Sequence, residues 1–282
     1  MAENEWSGWI GRIEKLHDLA DPKPVRALAA TFDMLPHDKE GDPLPYLSHW
    51  LYFLPMAPES QIGLDGHPKR DGSGFLPPVP IERRMWAGGR LTFRSELRVG
   101  DALGKTSEIL KIAEKEGATG RMAFVTVKHE IASSRGAAIE EEQDIVYLDM
   151  PKTFTPPKPV PLPEDLAWQE RYPVDPVLLF RFSAITFNGH RIHYDIRYAT
   201  EVEKYPGLVV HGPLQAMLLM KAATERNAGR RPARFSFRGV RPAFDFDTVL
   251  LSGKTRDDGG LDLYTSNGDG HVCMQASISW QD

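Results

Sequence analysis

The chain has 282 residues, 41% of them hydrophobic and 26% charged, which is enough for about two domains and a sizeable core. Its 34 Lys and Arg against 39 Asp and Glu give a net charge of −5, which argues against a general nucleic-acid binder. The single cysteine, Cys273, excludes an intrachain disulfide framework and a cysteine-rich zinc site.

The first residues, Met1 to Glu5, are acidic and open no apolar run, so no leader peptide is expected. Apolar residues then recur at i, i+3, i+4 and i+7, first as Trp6, Trp9, Ile10 and Ile13, then as Val25, Leu28, Ala29 and Phe32. That period predicts two helices. Glycines, charges and prolines between Gly63 and Ile81 predict one long loop. Arg90 to Arg94, the alternating run Ala123 to Ile131, and Ile139 to Leu148 predict strands, whereas Thr106 to Glu116 fits either period. Gly100 to Thr106 has one residue too few between its glycines for a phosphate-binding loop and reads as a turn.

Six prolines between Pro151 and Pro163 forbid helix and central strand there. They divide the chain into residues 1–150, an extended connector 151–163, and residues 164–282. In the second part, Gly212 is a candidate N-cap and Pro213 a first helical residue, followed by residues apolar nearly all round. Such a helix is expected to be buried and to end near Asn227 to Gly229. Four strands are expected after it: Arg234 to Arg241, Thr248 to Arg256, Leu261 to Ser266 and Val272 to Trp280. Asp257 to Gly260 and Asn267 to Gly270 are hairpin turns. Helix then meander, twice, predicts an α+β double hot-dog, two antiparallel sheets each wrapped around a buried helix. Gly207 to Ala223 is interrupted by His211, Gln215 and Lys221, and is too short for the roughly 20 apolar residues of a membrane span. A cytoplasmic protein with no membrane partner is expected.

Chemistry-bearing side chains concentrate in Phe182 to Asp195: Asn188, His190, Arg191, His193 and Asp195, with His211 directly before the helix. On composition alone these are equally a solvated surface loop. Three imidazoles invite a metal, but their spacing matches neither a helical His pair nor a finger, so no metal site is predicted.

The segment resembles the hydratase motif of the MaoC-like and (R)-specific enoyl-CoA hydratases. His193 matches the motif histidine, Asp195 the acid two positions on, and His211-Gly212 the start of the hot-dog helix. Asn188 stands where that family carries a catalytic aspartate, and His190-Arg191 replaces Asn-Pro. Phe-Asn188-Gly-His190-Arg191-Ile-His193-Tyr-Asp195, with His49 to Pro55 and Arg83 to Gly89, is similar to a narrower two-domain branch. That branch contains hydratases of 3-methylfumaryl-CoA (mesaconyl-CoA) and itaconyl-CoA, and 3-hydroxyacyl-thioester dehydratases.

The resemblance implies a cofactor-free hydro-lyase acting on an α,β-unsaturated acyl-CoA. His193 is the expected acid/base. Asn188 would orient water, and the Gly212 N–H would receive the thioester oxyanion. His190, Arg191, Asp195 and His211 are expected to contact substrate or support the loop. Arg191 could pair with a substrate carboxylate, and Asp195 could orient His193. The first part would supply a wall, and a homodimer is compatible with such a fold. A hot-dog thioesterase and a non-catalytic acyl-CoA binder are the alternatives, and Asn188 and His193 argue against each in turn.

Overall fold

Ten antiparallel strands form one continuous sheet among residues 6–117 and 120–281, which are described by a computed structural model. Residues 1–5, read above for a leader, lie outside the described residues. The first half contributes β1 (Ile13–Leu19), β2 (Arg83–Phe93), β3 (Ala102–Gly117), β4 (Gly120–Ser133) and β5 (Gly136–Leu148). The second contributes β6 (Trp168–Tyr172), β7 (Pro232–Gly239), β8 (Val249–Thr255), β9 (Leu261–Ser266) and β10 (Val272–Trp280). The helices are α1 (Pro22–Thr31), α2 (Pro176–Ile185) and α3 (Gly212–Arg226).

The sheet order is β1-β3-β4-β5-β2-β7-β10-β9-β8-β6. Read inward from each edge, both halves have the same order: first, third, fourth, fifth, second strand. The fold is therefore a duplicated unit, joined where the second strand of each half pairs with the other, from Gly88 opposite Arg238 to Thr92 opposite Arg234. This is the expected double hot-dog. Glycine is required at the seam, because a Cβ on Gly88 would lie 2.5 Å from the Phe237 carbonyl oxygen.

The duplication is legible locally. Each half opens with an edge strand, then an Asp-Pro pair, then a ten-residue helix. Asp21 accepts from the Lys23 N–H at 2.8 Å and Asp175 from the Leu178 N–H at 2.7 Å, so each helix has a side-chain N-cap. α1 and α2 pack on each other, with Phe32 and Phe182 stacked at 6.4 Å.

Beyond these paired helices the halves differ. The second has α3, whose Leu214, Leu218, Leu219 and Met220 are among the largest fully buried side chains. The first has only short 3₁₀ turns, Ser48–Leu51 and Glu59–Gln61, and then the long loop. The expectation of a buried central helix in each half therefore holds only for the second. Where the first half lacks that helix, the concave face of its sheet and the long loop border a cavity of about 1910 Å³.

The helix predicted at Trp6 to Ile13 is instead a 3₁₀ turn, Ser7–Trp9, followed by β1. Gly11 has φ +83°, which ends the helical path, and its N–H bonds the Ile109 carbonyl at 2.8 Å, leading the chain onto the β3 edge. The ambiguous run at 106–116 lies in β3, which pairs on both sides. In α3 the N-cap is His211, with Gly212 and Pro213 the first two helical residues, one place from the sequence reading.

The proline-rich connector is held at both ends. Phe154 packs on Tyr205 and Phe244 at 5.7 and 5.6 Å, and the Val160 carbonyl accepts from the Val272 N–H at 2.8 Å. Lys152, just before this anchored stretch, is exposed. Limited trypsin cleavage there should yield two fragments that co-elute on gel filtration, because the β2–β7 ladder still joins them. Fragments that separate as stable species would contradict one shared sheet.

Candidate active site

α2 ends in a tight turn in which Phe187 takes φ +49°. Asn188 then folds the loop locally: its N–H donates to the Ser183 carbonyl at 2.8 Å and its Oδ1 accepts from the His190 N–H at 3.0 Å. Arg191–His193 forms a 3₁₀ turn that carries His193 under the start of α3.

His193 is buried, and its Nδ1 lies 2.7 Å from the Val209 carbonyl oxygen. A carbonyl only accepts, so Nδ1 holds the hydrogen and Nε2 presents a lone pair. Nε2 has no protein partner among the described residues, and the side chain lines the cavity. Burial, then the neighbouring His211 and His190, hold the His193 pKa well below the usual histidine value. A neutral imidazole with one free acceptor is a base.

The His193 ring stacks on His211, with centroids 3.6 Å apart. His211 pairs with the Ser183 hydroxyl at 2.9 Å, and burial followed by His190 pushes its pKa down to about 3. As the N-cap residue of α3, it places the catalytic loop beside the Gly212 N–H, which has no acceptor among the described residues and borders the cavity. That N–H and the helix dipole form a site for developing negative charge.

The remaining predicted residues take other tasks. Asp195 does not reach His193. Its Oδ2 pairs with Arg191 at 2.7 Å and its Oδ1 accepts from the Tyr198 N–H at 3.1 Å, which starts the next helical turn. Arg191 is likewise committed: besides Asp195 it donates to the Leu64 carbonyl at 3.0 Å and lies 4.5 Å over the Tyr198 ring. It fastens the catalytic loop to the long loop of the first half. His190 is buried and pairs with the buried Glu203 at 2.9 Å.

The structure adds residues that the sequence reading passed over. The long loop packs so closely on the catalytic loop that a Cβ on Gly66 would lie 1.8 Å from the Gly189 carbonyl oxygen. It brings His67 to 4.3 Å from His190, ring to ring, with His67 Nδ1 3.1 Å from the Asp65 carboxylate. Burial and then the Arg84 charge lower the His67 pKa to about 3, against the pull of Asp65. Burial alone would raise the Asp65 pKa, but its bonds from His67 hold it well below the carboxylate range. Arg84 lines the cavity and has no carboxylate partner among the described residues. Farther along, the first half places His49 and Trp50 on Glu141, each at 3.0 Å. Burial pushes Glu141 up, but these bonds and the His49 and His129 charges outweigh it and keep the carboxyl low. Among the described residues no three His, Cys, Asp or Glu side chains converge as metal ligands.

Residues 47–245 match the family model of the hydroxyacyl-thioester dehydratases type 2. The chain belongs to that family. It is 44% identical over 281 residues to mesaconyl-C(4)-CoA hydratase of Chloroflexus aurantiacus, covering 99% of both chains. It is 29% identical to the mitochondrial hydroxyacyl-thioester dehydratase type 2 of Schizosaccharomyces pombe, over 70% of this chain and 73% of the other. A MaoC-like dehydratase of Phytophthora capsici has the same fold, with a TM-score of 0.69 over 96% of each chain at 12% identity. The resemblance read from the catalytic loop is thus correct, and the chain is a hydro-lyase. No helix among the described residues is long and apolar enough to cross a membrane.

Proposed function

We propose that the protein reversibly hydrates a short α,β-unsaturated acyl-CoA that carries a second carboxylate, with mesaconyl-C4-CoA as the substrate and citramalyl-CoA as the product. The observation that carries the hydration chemistry is His193: Nδ1 tied to a carbonyl, Nε2 free, one ring stack from the start of α3. The thioester oxygen takes the Gly212 N–H, which polarises the double bond. His193 Nε2 removes a proton from water as the water oxygen bonds the β-carbon. The same proton then passes to the α-carbon, so one water is consumed and the base is restored. Asn188, beside this path, helps hold the water, and His211 and His190 support the rings against which His193 rests.

The acyl specificity rests on two supports. The Chloroflexus relative, similar over nearly the whole chain, is named for mesaconyl-C4-CoA. In that molecule the free carboxylate is on the β-carbon, so its counter-charge belongs at the water-accepting end of the site. Arg84 fits that requirement better than Arg191, whose donors are already engaged. A fatty-acid-type dehydratase is the second reading, from the fission-yeast relative. The cavity face bearing His49, Glu141, His129 and Lys105 suits an aliphatic tail poorly. Both halves contribute to one site within one chain, so the reading requires no homodimer. A free, buried Cys273 accords with a cytoplasmic enzyme using soluble CoA thioesters.

Assay with mesaconyl-C4-CoA and crotonyl-CoA tests the proposal. The dicarboxylic substrate should have the higher kcat/KM, and Arg84→Leu should lower it by about 10²-fold, the scale of a lost charge-assisted bond, while leaving crotonyl-CoA nearly unaffected. Equal loss on both would remove Arg84 from acyl recognition. Release of free thiol in place of hydration would convert the reading to a thioesterase, and no reaction with any thioester to a binding protein.

A further inference from the structure

Adding water across a double bond leaves a specific demand unmet by the second half alone. As the water oxygen bonds the β-carbon it becomes electron-poor, and both of its hydrogens then need acceptors. One hydrogen goes to His193 Nε2. The other has Asn188 Oδ1 available, but that oxygen already accepts the His190 N–H at 3.0 Å as part of the turn that builds the loop. An amide oxygen shared in this way is a weak second anchor. A carboxylate at this position would have supplied two oxygens.

We infer that His67, delivered by the first half and oriented by Asp65, is the second acceptor that grips the attacking water. The inference rests on the hydratase reading and assigns a further catalytic residue to the same site. His67 Nδ1 faces the Asp65 carboxylate at 3.1 Å, which fixes the hydrogen on Nδ1 and leaves Nε2 as a free acceptor. Nε2 has no partner among the described residues and the side chain lines the cavity. His67 and His193 both lie against His190, at 4.3 and 5.5 Å between ring centroids, and both line the same cavity.

The loop is built for this placement. The Asp65 side chain also accepts the His67 N–H at 3.0 Å, and the Asp65 carbonyl accepts the Arg191 N–H at 3.0 Å. Arg191 also bonds the Leu64 carbonyl, and Gly66 meets Gly189 backbone to backbone. Four successive residues, Leu64 to His67, are thus fixed to the catalytic loop. This gives an order along the cavity: thioester oxygen at Gly212, α-carbon at His193, β-carbon and water between His193 and His67, and the β-carboxylate toward Arg84. No additional proton is needed. His67 accepts a hydrogen bond and keeps the product hydroxyl oriented, while His193 carries the one proton that moves from water to carbon.

The reverse reaction separates this role from a structural one. Wild type and His67→Leu, which removes the acceptor, are compared on citramalyl-CoA and on the matching thioester with chlorine in place of the β-hydroxyl. In the first, His193 removes the α-proton and water leaves. In the second, His193 removes the same proton and later releases it to solvent while chloride leaves with the C–Cl electron pair, with no hydrogen for His67 to hold. His67→Leu should lose about 10²-fold in kcat on the hydroxy substrate with little change in KM. On the chloro substrate it should stay within about fivefold of wild type. Asp65→Asn, which leaves the imidazole in place, should show the same split with a loss of about tenfold. Equal losses on both substrates, in either variant, would make the dyad a structural support and overturn the inference. Wild-type activity of His67→Leu on the hydroxy substrate would also overturn it. A wild-type protein inactive on both thioesters would instead overturn the hydratase reading itself.

Discussion

His193→Ala should lower kcat by about 10²–10⁴-fold, the range for losing a general acid/base, with KM for the CoA thioester little changed. The reason is the distribution of work in the site. His193 Nε2 faces the reacting atoms, whereas the pantetheine and nucleotide parts of a CoA thioester lie outside its reach. The remaining machinery stays: the Gly212 N–H, the His190–Glu203 pair, and the α3 N-terminus are not held by the His193 side chain alone. The pH profile is the sharper readout. An imidazole with an ordinary pKa would give an acid limb near pH 6.5, but His193 is held well below that value. The wild-type kcat/KM should therefore stay flat as pH falls from 8 to 6. An acid limb centred near 6.5 would mean that His193 is solvated or paired with an anion in the working enzyme. Full activity in His193→Ala would remove it from the reaction.

Elements with a buried and an exposed face were legible in the sequence. β9 and β10 match the expected spans residue for residue, because β10 alternates buried Met274, Ala276, Ile278 and Trp280 with partly exposed residues. α3 was legible through its uniform apolarity and its Gly-Pro start. The edge strands were not. β1 and β6 only half-bury alternate positions, among them Leu16, Trp168 and Tyr172, so their period-two signal is weak. α2 exposes Val177 and Phe180 while burying Leu179 and Phe182, so apolar residues surround it and no face stands out. The same limit applies to the site. Asn188, His190, His193 and His211 lie close in sequence and announce themselves. Glu203 is thirteen positions from His190 and has no motif, and its role comes from a turn that folds back. Asp65 and His67 did carry a signal, an acid two residues before a histidine inside a glycine-rich loop. Only the duplicated topology explains why that loop exists: the first half lacks the helix that would fill its concave face, and the chain freed by that loss reaches across to the other half.

Stability should fall as pH drops below about 6.5, and His211 should account for a definable share. In the unfolded chain a histidine titrates near 6.5. In the folded protein His211 is buried, stacked on His193 and beside His190, and its pKa is about 3. Between these values the unfolded state binds a proton that the folded state refuses, so stability rises with pH across this window and is fully present above it. The sign is opposite to that of a histidine stabilised by an anion. The slope for one such group is about 1.4 kcal/mol per pH unit, or about 2 kcal/mol between pH 6.5 and 5. His193, shifted in the same direction, adds to it. The lowered pKa of Asp65 acts only at more acidic pH and does not confuse the window. Urea unfolding at intervals from pH 7.5 to 5 measures the slope. His211→Gln retains an amide able to meet the Ser183 hydroxyl and removes the titrating ring, so its stability curve should be flatter by one histidine's share. It should also lose activity, because the stack that positions His193 is gone. An unchanged slope in His211→Gln would show that His211 is protonated equally in both states, and the buried, neutral state assigned to His211 would then have to be abandoned.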